Sequence, residues 1–297
     1  MTLPINNIIC KGLATAAVLL LSLCAFGQKG MGERTTSTDS IGNANREVMH
    51  STTFGLMGVA AVYDSYLRPY MYADGVDFRI QRETARMTNL MDGRISNQTF
   101  LDVNIAADLM TDGGPTWYTG GIRYSQGWLY NFRDCNVVNP AERTTRRWNY
   151  AAGLQASGYL GGVYIDRSGN NPGQAKFDVM VNATGIVSYT FRCKKHRPLI
   201  LSYQLTFPLA GAAFSPNYGQ SYYEIFELGN YDHNIVFANI FNMPSNRHRL
   251  LLDIPIRKGE LRLGYDIQIN QARFNNLEYN NTTIDFIIGF TKYFYRR

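Results

Sequence analysis

The sequence predicts an all-β protein, an antiparallel transmembrane β-barrel of about 12 strands (10–14 admissible) in a single domain. Three observations lead there. In Glu260–Asn270, Leu261, Leu263, Tyr265, Ile267 and Ile269 alternate with Arg262, Gly264, Asp266 and Gln268, a period of two that gives a strand one apolar and one charged face. Similar alternation recurs along most of the chain in segments of about 9 to 11 residues or more, the length a tilted membrane strand needs. The apolar run Leu13–Leu23 behind Lys11 is too short to span as a helix and fits a signal-peptide core.

Ala25 and Gly27 suit a signal peptidase, so residues 1–27 are read as a signal peptide cleaved before Gln28. Cys24 follows Leu23, whereas lipoprotein signals prefer a small residue before the cysteine. Residues 28–50 form a flexible periplasmic N-terminal arm, polar and without period through Arg46, and 51–297 the barrel. Within the arm, Asp39-Ser40-Ile41 resembles an Asp-Ser/Thr-apolar O-glycosylation acceptor.

Candidate strands run over 51–63, 75–85, 97–110, 116–131, 147–165, 175–191, 198–210, 221–228, 234–242, 248–256, 260–271 and 282–295. An even number returns both ends to one side, expected to be periplasmic. Loops at 64–74, 111–115, 166–174, 211–220, 243–247 and 272–281 then face outward, with short turns at 192–197 and 257–259. Trp128, Tyr130, Trp148, Tyr150, Tyr189, Phe191 and Phe294 fall at one set of strand ends. Trp117, Tyr118, Tyr164 and Phe177 fall at the other, so two interfacial girdles are expected.

The formal charge of +6 comes from Lys and Arg scattered through strands and turns, without zinc spacing or an RNA-binding aromatic motif. Nucleic acid is therefore not an expected partner. The signal peptide and the barrel pattern together place the protein in the outer membrane of a Gram-negative cell, and in such a barrel a mild basic excess suits outer-membrane lipid and lipopolysaccharide. Cys135 and Cys193 remain after cleavage, and two thiols leave both a disulfide and free thiols open.

Three strings, Asp64–Pro69 (DSYLRP), Asn170–Asp178 (NNPGQAKFD) and Phe214–Asn230 (FSPNYGQSYYEIFELGN), together with the signal peptide and aromatic end, resemble an uncharacterised Bacteroidota outer-membrane β-barrel family, a family of unknown function. The resemblance implies the address and shape and supplies no catalytic residues.

No metal or cofactor site is expected, because no two His or Cys stand at ligand spacing on one face. A barrel lipid hydrolase needs Ser and His together at the outer rim. Ser245 and His248 come nearest, with His248 facing lipid and Ser245 in the adjoining loop. A solvated serine and an interfacial histidine explain them as well.

Asp102, Asp108, Arg123, Asp178, Arg249, Asp253, Arg262, Asp266 and Asp285 fall on the lumen face, since Arg or Lys at the lipid midplane costs about 2–4 kcal/mol. They either line a narrow pore or ligand tunnel, with selectivity set by Arg249, Asp253, Arg262 and Asp266, or pair and seal the barrel. Tyr218, Tyr222, Tyr223 and Phe226, beside Asn217, Gln220 and Glu224, are candidates for gating or for contact with a small solute or glycan. The expected function is thus a narrow porin-like pore or small-ligand barrel. The alternatives are a closed barrel for envelope integrity and a lipid hydrolase.

Overall fold

The computed structural model describes residues 47–67, 72–108, 116–132, 147–166, 171–191 and 198–295. The signal peptide, the arm through residue 46, Ser40, Cys135, Cys193 and His196 lie outside them.

Among the described residues eleven strands run in order: β1 (Glu47–Asp64), β2 (Tyr72–Met87), β3 (Ile95–Ala107), β4 (Trp117–Asn131), β5 (Trp148–Ile165), β6 (Gly173–Phe191), β7 (Leu199–Phe214), β8 (Ile235–Asn239), β9 (Asn246–Ile256), β10 (Gly259–Phe274) and β11 (Leu277–Tyr295). Each pairs antiparallel with its neighbour in space, and β11 returns to β1 with Glu47 opposite Tyr295. The ring of strands therefore closes into an antiparallel barrel, as lipid requires, with β8 laddered on one side only.

Three expected strands change identity. Residues 221–228 hold no strand but a short helix, α1 (Tyr222–Phe226). Its start is a capping box: Ser221 Oγ accepts the Glu224 N–H at 3.2 Å, and Glu224 Oε2 accepts the Ser221 N–H at 2.7 Å. The expected strands at 234–242 and 248–256 do not turn back on each other at 243–247. β8 pairs with Ala210–Phe214 and β9 with Ile200–Thr206, both antiparallel to β7. They are two lengths of one interrupted stave, so ten staves circle the barrel. Losing one strand and fusing two others keeps the number even, and both ends of the sheet stay on one rim.

The side-chain pattern is inside out relative to a water-soluble protein. On β2, Phe78 and Ile80 are each 54% exposed while Arg79 between them is 2% exposed. Ile105, Ile122, Leu154, Leu160, Val179, Tyr265 and Phe286 continue the apolar outer face around the staves. An apolar band this extensive needs a lipid solvent rather than water. The outward Arg82 and Arg86 lie in the half of β2 nearest the chain-end rim, where long side chains reach the interface.

Aromatic side chains gather at the chain-end rim: Trp148 meets Tyr189 edge-on at 4.8 Å, Tyr189 meets Phe191 at 4.7 Å, and Tyr130 meets Phe132 at 5.4 Å. Tyr118 and Tyr164 pair at 6.3 Å at the opposite rim. Trp117 departs from its expected girdle. It is 1% exposed and packs inside the barrel with Ala60, Val62, Leu67, Ala106, Val163 and Ile165. Trp117 shares the inward parity of Thr119 and Arg123, and Gly75 leaves space for its ring: a Cβ there would lie 2.8 Å from Trp117 Cζ2.

Candidate functional site: a sealed lumen under a covered mouth

Interior positions of β2, β3, β9, β10 and β11 carry four arginines and six carboxylates that meet across the lumen. Arg79 stands at the centre, 3.1 Å from Asp77, 3.1 Å from Asp102 and 2.9 Å from Asp285. It also donates at 2.7 Å to both Gln268 Oε1 and Thr283 Oγ1. Arg247 bridges Asp266 at 2.6 Å and Asp102 at 3.1 Å. Arg262 holds Asp253 at 2.7 Å and Glu83 at 3.1 Å, and Arg249 reaches the same Glu83 at 3.2 Å. The Phe100 ring lies under both Arg247 and Arg249, at 4.6 and 4.5 Å. Away from water each charge needs partners, and this mesh supplies them by filling the lumen with side chains.

The expected lumen residues Asp102, Asp178, Arg249, Asp253, Arg262, Asp266 and Asp285 all lie buried inside. Arg249, Asp253 and Arg262 gather around Glu83, and Asp266 joins them through a 3.7 Å approach to Arg249. Asp178 lies apart, pairing with Arg123 at 3.4 Å, and Asp108 sits half-buried at the end of β3. Sequence reasoning missed Asp77, Arg79, Gln81 and Glu83, although their alternation with Phe78 and Ile80 is a direct period-two signal. It also placed Arg247 in a loop, whereas Arg247 points into the lumen.

The 215–234 segment covers the mouth at the other rim. Tyr66, in the β1–β2 turn, donates its hydroxyl to the Gln220 carbonyl at 2.9 Å and meets the Tyr222 ring edge-on. The Tyr222 hydroxyl accepts the Ala175 N–H of β6 at 2.7 Å. Asn275 of the β10–β11 turn donates to the carbonyls of Ser215 and His233 at 3.1 and 2.9 Å. That turn places Asn275 and Asn276 at φ 52° and 61°, which a two-residue hairpin of this twist demands and asparagine tolerates. β1 and β6 stand on opposite sides of the ten-stave ring, so these ties stretch the segment across the opening.

Of the proposed gating residues, only Tyr222 is tucked into this cover. Tyr218, Tyr223 and Phe226 are exposed on its surface, while Ile225 is fully buried. Burial, reinforced by Asp64 and Glu224, pushes the Tyr66 phenol up to about 12. Burial raises Tyr222 as well.

Two small cavities of about 50 and 60 Å³ lie between cover and ion mesh and share Arg123, Met243, Ser245 and Asn270 as lining. Each has room for about four or five waters. Lys176 reaches Asp64 at 3.0 Å over the Tyr279 ring, and Arg123 lies over the Tyr159 ring at 4.6 Å. The buried Arg123 Nε has no hydrogen-bond partner among the described protein atoms.

Ser245 and His248 are not brought together. Ser245 is buried in the lumen wall, where its Oγ donates to the Gln271 carbonyl and accepts the Gln271 N–H. His248 faces outward, with Nδ1 2.6 Å from the Tyr203 hydroxyl and Nε2 2.9 Å from Asn246 Oδ1. The odd separation of 245 and 248 on an extended chain puts them on opposite faces, which precludes a serine–histidine dyad. Among the described residues, no three His, Cys, Asp or Glu side chains are grouped to hold a metal ion.

The chain resembles solved outer-membrane barrels. Outer membrane protease OmpT from Escherichia coli aligns at 9% identity over 87% of this chain and 100% of its own, with a TM-score of 0.47. The translocator domain of autotransporter NalP from Neisseria meningitidis aligns at 10% identity over 95% of this chain and 96% of its own, with a TM-score of 0.38. A monoaromatic hydrocarbon channel, the TodX deltaS2S3 mutant, aligns at 9% identity over 84% and 90%, with a TM-score of 0.19. No curated protein matches the chain. The chain belongs to the family described as Protein of unknown function (DUF3316), whose profile matches residues 16–297.

Proposed function

We propose that this protein is an outer-membrane barrel that is sealed against ion flow and binds a small ligand in the space between its ion mesh and the 215–234 cover. In this reading residues 1–27 are a cleaved signal peptide, the arm and the C-terminus face the periplasm, and the covered mouth faces outward. The apolar wall meets outer-membrane lipid, with lipopolysaccharide around the outer rim.

The observation that carries the proposal is the mesh itself: Arg247 of β9 bonds Asp102 of β3, the stave opposite it in the ring, at 3.1 Å, and Arg79 of β2 joins that same Asp102 to Gln268 and Thr283 of β10 and β11, so the lumen is spanned rather than lined. A merely structural barrel would share that seal; what favours ligand binding is the pair of cavities above it, with an Arg123 Nε that bonds no protein atom in their shared lining. The test is single-channel recording on refolded protein in a planar bilayer, after a heat-modifiable gel shift confirms assembly. Silence is expected, and discrete current steps from folded protein would overturn the sealed reading.

A further inference from the structure

One length of the barrel wall has no ladder. β9 pairs with β10 only as far as Asn246 opposite Ile269, and beyond that point β8 pairs with β7 but not with β10. The cause lies in the chain. From Asn239 to Arg247 it takes eight steps, whereas their β7 partners Ala210 and Thr206 are four apart, so residues 240–245 bulge.

A makeshift closure stands in for the missing ladder. Ser245 Oγ accepts the Gln271 N–H at 3.0 Å and donates to its carbonyl at 3.1 Å, and Arg273 donates its N–H to the Asn242 carbonyl at 2.8 Å. Met243 turns inward and packs in one cluster with Ala272 and Phe274.

Three further features converge on this seam. Both internal cavities reach it, through Met243, Ser245 and Asn270. Outside it Leu209, Phe237, Ile240, Leu250 and an 89% exposed Phe241 present an apolar surface, beside the exposed Arg273–Glu278 ion pair at 3.2 Å. At its foot the outward Tyr203, His248 and Asn246 form a hydrogen-bonded polar trio on a face otherwise given to lipid. Polar groups facing lipid are expensive and mark places where a polar solute is met.

We propose that the β8–β10 seam is a lateral portal, through which the anionic head of a single-chain, fatty-acid-class amphiphile passes from the bilayer to Arg123 while its tail stays on the apolar outer wall. The proposal rests on the ligand-binding reading above and names the ligand class. Cavities of about 50 and 60 Å³ take a carboxylate and its first methylenes but neither a whole acyl chain nor a two-chain glycerolipid head. Arg123 offers a buried Nε that bonds no protein atom, and its Nη1 bond to Asp178 is long at 3.4 Å, so Nε is the donor open to a carboxylate. Tyr203, His248 and Asn246 give the head polar company at the outer edge.

The experiment measures dodecanoate binding, by displacement of a fluorescent fatty acid, to the refolded mature protein, from Gln28 onward, in lipid nanodiscs. Arg123→Gln should weaken binding at least tenfold. A disulfide staple across the seam, Asn242→Cys with Arg273→Cys in a Cys135→Ser/Cys193→Ser background, should do the same when oxidised and recover on reduction. Acetate, a tail-less carboxylate arriving from water, should not compete at concentrations where dodecanoate saturates. A folded wild type that binds no dodecanoate overturns the ligand class. Binding indifferent to the staple overturns the portal, and binding indifferent to Arg123→Gln overturns the head site. Acetate competition that persists through the staple shows access from water and overturns the lipid route. The sealed-barrel reading is judged separately, by conductance.

Discussion

Arg79 Nε lies 2.9 Å from Asp285 Oδ2, with both side chains almost wholly out of solvent. The same guanidinium also serves Asp77 and Asp102, so three strands depend on one cation. Arg79→Met should leave these carboxylates buried without it, a class of change that costs about 3–5 kcal/mol. Refolding yield by heat-modifiable gel shift should collapse. Adding Asp77→Asn and Asp285→Asn to Arg79→Met should restore most of it. A triple variant as defective as the single one would show that packing, not charge, is the cause.

Gly58 sits where β1 bulges against both neighbours, and a Cβ there would collide with Asp285 Oδ1 and lie 3.2 Å from the Asp77 Cβ. Because Arg79 ties Asp285 down, the carboxylate cannot swing clear. Gly58→Ala should therefore lower the urea midpoint by the equivalent of about 1–3 kcal/mol. Gly158→Ala is the control: its Cβ would meet nothing nearer than the Asp178 carbonyl at 4.0 Å. It should be neutral or slightly stabilising. Equal losses at the two sites would contradict the steric argument.

The cover should loosen in alkali. A free tyrosine gives up its proton near pH 10, while the covered Tyr66 holds it to about 12, mainly through burial and then through Asp64 and Glu224. The support Tyr66 gives to the covered state is complete below about pH 10 and is lost as pH rises through 12. Tyr222 shifts in the same direction. A nitroxide at Tyr218→Cys, in a background without the native cysteines, should gain mobility across this window. In Tyr66→Phe/Tyr222→Phe the probe should be more mobile at neutral pH and show no alkaline step.

The strand faces were legible because the barrel enforces one rule over most of each stave. The lipid midplane disfavours charge, so Arg262 and Asp266 had to point inward once Leu261 and Tyr265 pointed out, and outward arginines such as Arg82 and Arg86 are left to the half of β2 nearest a rim. Asp77, Arg79, Gln81 and Glu83 obey the same rule and were open to the same reading. Helix α1 was also readable, since Ser221 and Glu224 stand at capping-box spacing, but the surrounding tyrosines and phenylalanine favour strand just as strongly. What the rule does not contain is pairing between distant segments. The tie from Tyr66 to Gln220 joins positions 154 apart, and nothing local to either announces it. The fusion of β8 with β9 was hidden for a related reason. An alternating strand, a break and another alternating strand read the same whether the chain reverses at the break or bulges and continues. Only the shared partner β7 separates the two cases.

That bulge makes Ser245 a structural residue with a measurable signature. Its hydroxyl occupies both main-chain groups of Gln271, which on a regular stave would find them on the neighbouring backbone. Ser245→Ala removes both bonds and leaves a donor and an acceptor partly buried in the wall. A cost of about 1–3 kcal/mol is expected, because an orphaned polar group loses its desolvation energy outright. The loss should be local. Amide exchange should speed up at Gln271 and Arg273, on the unladdered part of β10, while Leu263 and Tyr265, fully paired on both sides, keep their protection. Ser245→Thr retains the hydroxyl and should stay close to wild type in exchange. Uniformly faster exchange along β10 would mean that Ser245 supports the whole barrel and that the wall has no separate seam to open. Unchanged exchange at Gln271 would mean that the bulge itself, rather than this side chain, keeps the wall shut.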